Sequence, residues 1–148
     1  MIINSSKVKL GVTEALALVL SLLYAIGIRR WFAVCPLMTE TVMPCHWAGE
    51  MLKAISVLLL VLCALHLPIP DAKIKIGMDI ALIGLALLGM FVPGTVIRIC
   101  GGETMACKSA AHPWTLAFCG ALAVILLADV IVYASALAKE NHRRKDPK

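Results

Sequence analysis

The sequence has few charged residues and few aromatic residues for its length. Only 16% of its 148 residues are Asp, Glu, Lys or Arg, and only 5% are Phe, Trp or Tyr. Hydrophobic residues make up 61%, and the mean hydropathy is +0.91, whereas soluble domains are about 45–50% apolar. One small core cannot hide so much apolar surface. The composition therefore excludes an ordinary soluble domain and favours a protein that lies in a lipid bilayer.

Several catalytic motifs are also absent. The chain lacks G-x-x-x-x-G-K-[ST], G-x-S-x-G and H-E-x-x-H, and it has no C-x-x-C pair. The usual signals for nucleotide hydrolysis, serine hydrolysis, zinc proteolysis and thiol–disulfide exchange are thus missing. The net charge of +5 does not indicate nucleic acid, because the basic residues lie at the ends of apolar segments. That position suits membrane orientation and anionic head groups, so we expect no nucleic-acid partner.

Long apolar segments occupy most of the chain, at residues 10–28, 48–67, 76–97 and 114–138. A helix needs about 20 mostly apolar residues to cross a bilayer, and the alternation of a transmembrane barrel is missing. We predict an all-α integral membrane protein, a four-transmembrane-helix antiparallel bundle that forms one membrane domain over residues 1–148. The first segment exceeds a signal-peptide core and precedes Arg29 and Arg30, so we predict an uncleaved span.

Basic residues set the predicted orientation. Nine of the 14 Lys and Arg residues lie on the side that carries both termini, and five lie on the other side. The positive-inside rule then places the N- and C-termini in the cytoplasm, with a cytoplasmic tail at 139–148. The outer loops are 29–47 and 98–113. The predicted location is the bacterial cytoplasmic (inner) membrane, where the lipid bilayer surrounds the spans.

The two predicted outer loops share an order of residue types. Each has Arg, then Cys, then Met-x-Cys, then His, and then Trp at the start of the next helix. This order indicates a duplicated helical hairpin whose copies are related by an axis along the membrane normal. The corresponding residues are Arg30, Cys35, Met43, Cys45, His46 and Trp47 in the first loop, and Arg98, Cys100, Met105, Cys107, His112 and Trp114 in the second.

Four of the six cysteines fall in the outer loops. The outer side of a bacterial inner membrane is oxidising, which favours disulfides. Pairing within each loop closes the shortest loops and is the preferred connectivity, while crossed pairings stay open. Cys63 and Cys119 lie in apolar segments and are expected to pack as small hydrophobic side chains. The predicted disulfide residues are Cys35, Cys45, Cys100 and Cys107.

Two sharper interpretations of the loops stay open. Soft sulfur and imidazole donors suit copper(I), and four spans with two outer cysteine pairs resemble quinone-linked disulfide-forming membrane enzymes. The spacings C-x9-C and C-x6-C depart from the catalytic pair of those enzymes. A third interpretation places the Trp and His side chains at the lipid head groups or at helix starts. The candidate loop residues are Met43, His46, Trp47, Met105 and His112.

Three acidic residues fall inside the apolar segments, where an ionised side chain costs about 2.5–3.5 kcal/mol on insertion scales. Glu14 and Asp79 are expected one turn inside the cytoplasmic edge, within reach of water. Asp129 lies deeper and needs a partner. It could be neutral, meet Lys75 or His66, or face a second protein. The functional interpretation of these intramembrane charges is a proton relay; the structural one is a hydrogen-bonded carboxylate near the membrane edge.

Helix surfaces give two further predictions. Glu50 and Lys53 are three residues apart and should form a local pair. Small residues on the third and fourth helices should let these helices pack closely, although the same faces could serve a partner helix. These small residues are Gly77, Ala81, Gly84, Gly89, Ala117, Gly120, Ala121 and Ala128.

The loop segments resemble an uncharacterised bacterial family of small four-span membrane proteins, with a Cys-Pro, Met-x-Cys-His-Trp, Cys-Gly and Met-x-Cys pattern. The resemblance covers nearly the whole chain and implies no catalytic residues. Genes of that family often lie near ABC-type exporter permeases, which implies an accessory role at a transporter. The matching positions are Cys35, Pro36, Met43, Cys45, His46, Trp47, Cys100, Gly101, Met105 and Cys107.

The leading functional prediction is a non-enzymatic accessory or scaffold subunit of a bacterial inner-membrane complex. A transporter is the expected partner class, and an ABC-type permease is the candidate partner. No cofactor is predicted for this role. The alternatives are a quinone-linked thiol–disulfide oxidoreductase and a copper or soft-metal handling protein.

Overall fold

The computed structural model describes the backbone of residues 5–31, 44–98 and 107–145, and within them the side chains of 11–31, 44, 46–98 and 108–139. All four main helices are long and apolar enough to cross a membrane, which confirms the predicted all-α four-helix class. The elements are α1 (Ser5–Arg30), α2 (Pro44–His66), α3 (Ala72–Phe91), a π-helical turn (Cys107–Ala111) and α4 (His112–Lys145).

Helix α3 has well-defined ends. Asp71 caps its N-terminus, because the Asp71 carboxylate accepts a hydrogen bond of 2.9 Å from the backbone N–H of Lys73. The helix ends at Phe91, so the predicted end near residue 97 is wrong. The chain turns there because Pro93 lacks an amide hydrogen and Gly94 adopts a φ of 97°, a conformation that glycine takes without strain.

The other helices are longer than the apolar segments indicated. Helix α2 begins at Pro44, so His46 and Trp47 lie on a helix rather than in a loop. Helix α4 begins at His112 and extends to Lys145, so most of the predicted tail continues the helix. Polar residues at these ends do not interrupt the backbone hydrogen bonds, and hydropathy alone therefore underestimates helix length.

Each helix packs against its neighbours in sequence, and α1 also packs against α4. The α3–α4 pair makes the most extensive contact, as predicted. Residues near the start of α1 and α3 meet residues near the end of α2 and the later part of α4, so the helices alternate in direction. The largest fully buried apolar side chains of this core are Tyr24, Ile28, Leu52, Leu59, Leu82, Leu126 and Val92.

The outer surface of the bundle is apolar. Only 28–39% of the residues in the most apolar part of each span are buried between the helices, so much of each span is half-buried or exposed. Large side chains such as Val124, Ile131 and Ile80 lie on this surface. In water such a surface would drive aggregation, but in a bilayer it is solvated by lipid chains.

Small residues occupy two different faces of α3. Gly89 faces the core, where a Cβ atom would come within 3.1 Å of the Cys119 sulfur. Gly77 and Gly84 have open space where a side chain would be, and Ala81 is exposed between them. Only Gly89, of these four, therefore helps α3 approach its neighbours inside the bundle.

Candidate functional site

One end of the bundle contains a group of buried polar side chains contributed by all four helices. The end is the one that carries the α2–α3 turn. Charged and polar groups in this position need partners, because the surrounding helices and lipid exclude water. We call this group the interior polar cluster; it consists of Glu14 on α1, His66 on α2, Lys75 and Asp79 on α3, and Asp129 and Tyr133 on α4.

The first part of the cluster joins three helices through Glu14. The Lys75 ammonium lies 2.5 Å from Glu14 Oε1, and both side chains are buried. The Tyr133 hydroxyl donates a hydrogen bond to the same carboxylate oxygen. The Lys75 nitrogen also lies 5.7 Å from the centre of the Tyr133 ring, within cation–π range. Glu14 on α1 thus forms an ion pair with a residue of α3 and accepts a hydrogen bond from a residue of α4.

The second part of the cluster joins α2 to α3. His66 Nε2 lies 3.1 Å from Asp79 Oδ1, an ion-pair distance, without the angles of a good hydrogen bond. Both side chains are buried, and Asp79 is 0% exposed. His66 is the last residue of α2, and Asp79 lies near the start of α3. The contact therefore joins the two helices on either side of the short turn between them.

The third part of the cluster is Asp129, which is 2% exposed. The Thr13 hydroxyl is its hydrogen-bonding neighbour on α1. Its Oδ2 atom has no hydrogen-bond partner among the described residues. Asp129 lines a small cavity of about 10 Å³, which is about the room that one water molecule needs. Glu14 and His66 lie on the same cavity wall, together with the Cys63 thiol and three apolar side chains.

The cluster corrects one prediction and extends another. Glu14 and Asp79 do not reach water; they are buried because Lys75 and His66 come from other helices to pair with them. The two bases that were candidate partners of Asp129 are paired with the other two carboxylates, Lys75 with Glu14 and His66 with Asp79. A sequence signal for part of this arrangement was available, since Lys75 and Asp79 are four residues apart and therefore share a helix face.

The outer-loop predictions fall mostly on residues outside the described part of the chain. The side chains of Cys35, Cys45, Cys100, Cys107, Met43 and Met105 all lie outside it. The predicted disulfides and copper ligands at these positions therefore stay predictions. Among the described side chains, no group of three or more His, Cys, Asp or Glu residues is arranged to hold a metal ion.

The remaining loop candidates lie at helix starts. His46 and Trp47 are in the first turn of α2, and their rings meet edge to face with centres 6.0 Å apart. His112 is the first residue of α4, and Trp47 and Trp114 are exposed. Exposed tryptophans at the ends of spanning helices agree with the head-group interpretation of these rings.

Two other predictions concern single contacts. Glu50 and Lys53 form the expected local pair, with the lysine nitrogen 2.6 Å from the carboxylate. Cys63 and Cys119 carry free thiols and are buried in the core, as predicted. A separate apolar groove of about 220 Å³ lies open on the side of the bundle between α1 and α4, and its lining consists of Leu20, Trp114, Ala117 and Phe118.

These observations define a multi-pass four-helix membrane protein whose intramembrane charges are directed inward. The family described as "Domain of unknown function (DUF4418)" matches residues 17–134, and the chain belongs to this family. The matched region contains most of the interior polar cluster, while Glu14 lies just before it. No curated protein and no solved structure matches the sequence significantly.

Proposed function

We propose that this protein is a non-enzymatic accessory or scaffold subunit of a bacterial inner-membrane complex, with both termini in the cytoplasm. The partner class that we propose is a transporter, specifically an ABC-type permease. The main support for this proposal is a row of small residues on the outward side of α3, which we call the stripe. The stripe consists of Gly77, Ala81 and Gly84.

The position of the stripe supports docking of another helix. Residues 77, 81 and 84 are four and three apart, so they lie on one side of α3. At 100° per residue, this side is opposite the buried positions 75, 79, 82, 86 and 89. The stripe therefore takes no part in the contacts inside the bundle.

The neighbourhood of the stripe also favours a helix over lipid chains as its occupant. Ile80 and Leu87 beside it are large and exposed, which is typical of a lipid-facing surface. The absence of large side chains along the stripe lets a second transmembrane helix approach closely, and close backbone approach drives helix association in membranes. The resemblance to a family whose genes lie near exporter permeases supports a permease helix as the occupant.

Charge pairing inside the bundle supports a scaffold rather than a catalyst. Glu14, Asp79 and Asp129 are directed toward the interior, so the outward face of α3 is free to form an apolar contact. The interior cavity beside Asp129 has room for about one water molecule, which is too small for an organic substrate. The bundle thus offers a stable surface to a partner.

A site-specific photo-crosslink tests the proposal. A photoreactive amino acid at Ile80 beside the stripe should form an adduct with a permease subunit in native membranes. The same probe at Val124 on α4, which is also exposed, should not form this adduct. Replacing Gly84 with leucine fills the stripe and should reduce the Ile80 adduct at least tenfold. The matched control Val124→Leu should leave the adduct unchanged.

Other outcomes of this experiment would contradict the proposal. An Ile80 adduct at twice the mass of this chain would identify a second copy as the occupant. Adducts with lipid alone would show that the stripe faces the bilayer. A permease adduct that persists in Gly84→Leu would place the contact elsewhere on the protein.

A further inference from the structure

We infer that Asp129 is a buried proton-binding site that exchanges its proton across the small cavity with the His66–Asp79 pair. The ligand is a proton delivered as water or hydronium. This inference goes beyond the proposed accessory role. It rests on the charge pairing, on the cavity, and on Asp129 Oδ2, which has no hydrogen-bond partner among the described residues.

The cluster contains more acidic than basic side chains. The cluster has three carboxylates, on Glu14, Asp79 and Asp129, but only two basic side chains. Lys75 is paired with Glu14 and His66 is paired with Asp79. If all five groups were ionised, the cluster would carry a net charge of −1 in a medium of low dielectric constant. One proton on Asp129 makes the cluster neutral, which burial strongly favours.

The two oxygens of the Asp129 carboxyl group have different surroundings. One side of its carboxyl group has the Thr13 hydroxyl as a neighbour, while Oδ2 has no hydrogen-bond partner among the described residues. Asp129 also lines the cavity that has room for one water molecule. A buried carboxyl oxygen beside a cavity of this size is suited to hold a proton and to pass it to one water molecule.

The groups that face Asp129 from each helix decide where the proton can go. Glu14 on α1 and Asp79 on α3 are its acidic neighbours in the cluster, and Lys75 on α3 and His66 on α2 are the basic members. Cys63 on α2 and Tyr133 on α4 are the other titratable neighbours in this region. Among these groups, His66 lies on the cavity wall and carries an imidazole, a side chain that can both accept and release a proton.

The proposed step conserves charge and involves no redox change. When a hydronium ion in the cavity gives a proton to Asp129, the carboxylate becomes a neutral carboxylic acid and a water molecule remains. In the reverse direction, after His66 has released its own proton to water, the O–H bond of Asp129 breaks, and the cavity water accepts that proton and gives one to the neutral His66 imidazole. An imidazolium then faces the Asp79 carboxylate, and Asp129 is left as the anion. The same proton can return by the same route.

Infrared difference spectroscopy on the full-length protein in lipid nanodiscs tests the inference. We expect a carbonyl band of a protonated carboxylic acid near neutral pH, and we expect deuterium oxide to shift that band. The band should shift in protein labelled with carbon-13 at aspartate, and it should disappear in Asp129→Asn. The matched control Glu50→Gln, at an exposed carboxylate, should retain the band.

Three results would overturn the inference. Absence of a protonated-carboxyl band in the wild-type protein would show that Asp129 is ionised. Insensitivity of the band to deuterium oxide over hours would show that the proton does not exchange. If the band is lost in Asp79→Asn but kept in Asp129→Asn, the proton resides on Asp79. The isotope-labelled wild-type protein gives a result even if Asp129→Asn does not fold.

Discussion

Replacing Lys75 with methionine is expected to lower the free energy of unfolding by about 3–5 kcal/mol, the usual cost of removing one partner of a buried ion pair. Methionine has a similar length but no charge, so the change removes the cation and leaves the Glu14 carboxylate buried without it. Reversible unfolding in mixed micelles, followed by circular dichroism, measures the change.

The double variant separates the ion pair from simple packing. Glu14→Gln in combination with Lys75→Met removes both charges and should recover at least half of the lost stability, because no unpaired charge remains. Lys73→Met is the matched control, since Lys73 lies two positions earlier on the same helix and is exposed. Equal losses for the Lys73 and Lys75 variants, or no recovery in the double variant, would contradict the described pairing.

Truncation of Leu59 to alanine is expected to cost about 2–5 kcal/mol, the range for large-to-small changes in well-packed cores. Leu59 is 0% exposed and belongs to the core that α2 shares with its neighbours. The same unfolding measurement gives the cost, and it reports directly on which face of α2 points inward.

Leu58 provides a matched control at nearly the same depth in the membrane. It is 47% exposed on the outer surface, where lipid chains can fill the space that a shorter side chain leaves. Leu58→Ala should therefore cost less than about 1 kcal/mol. A cost for Leu58→Ala equal to that of Leu59→Ala would show that α2 is rotated relative to the described bundle.

The sequence was sufficient to predict the membrane-spanning helices and the class of fold. Four segments had the length and hydropathy of spanning helices, and a bilayer permits few other structures. The helix ends were less predictable. A hydropathy pattern cannot show that polar residues continue a helix, as they do at the end of α4. It also cannot show the turn at Pro93 and Gly94 that follows the end of α3.

The inward face of each helix could not be predicted from the sequence. In a soluble bundle, polar residues mark the outer surface, but here both the inner and outer faces are apolar, so periodicity carries little information. Adjacent residues such as Leu58 and Leu59 therefore look equivalent in the sequence, although one is exposed and the other is fully buried.

The interior polar cluster depends on contacts between distant parts of the chain. Lys75 and Glu14 are 61 residues apart, and Tyr133 and Glu14 are 119 residues apart. The sequence identified the three acidic residues as unusual, because charges in apolar segments are costly. It could not assign their partners, since the partners follow from helix rotation and from the order of helices around the bundle.

Amine labelling of the wild-type protein in nanodiscs tests the buried cluster most directly. Lys73 is exposed and Lys75 is buried against Glu14, although the two lysines lie two positions apart on α3. After brief treatment with an acylating reagent, peptide mass spectrometry should find Lys73 modified and Lys75 protected until the protein is unfolded. Modification of Lys75 at the same rate as Lys73 would show that the charges face water and would contradict the account.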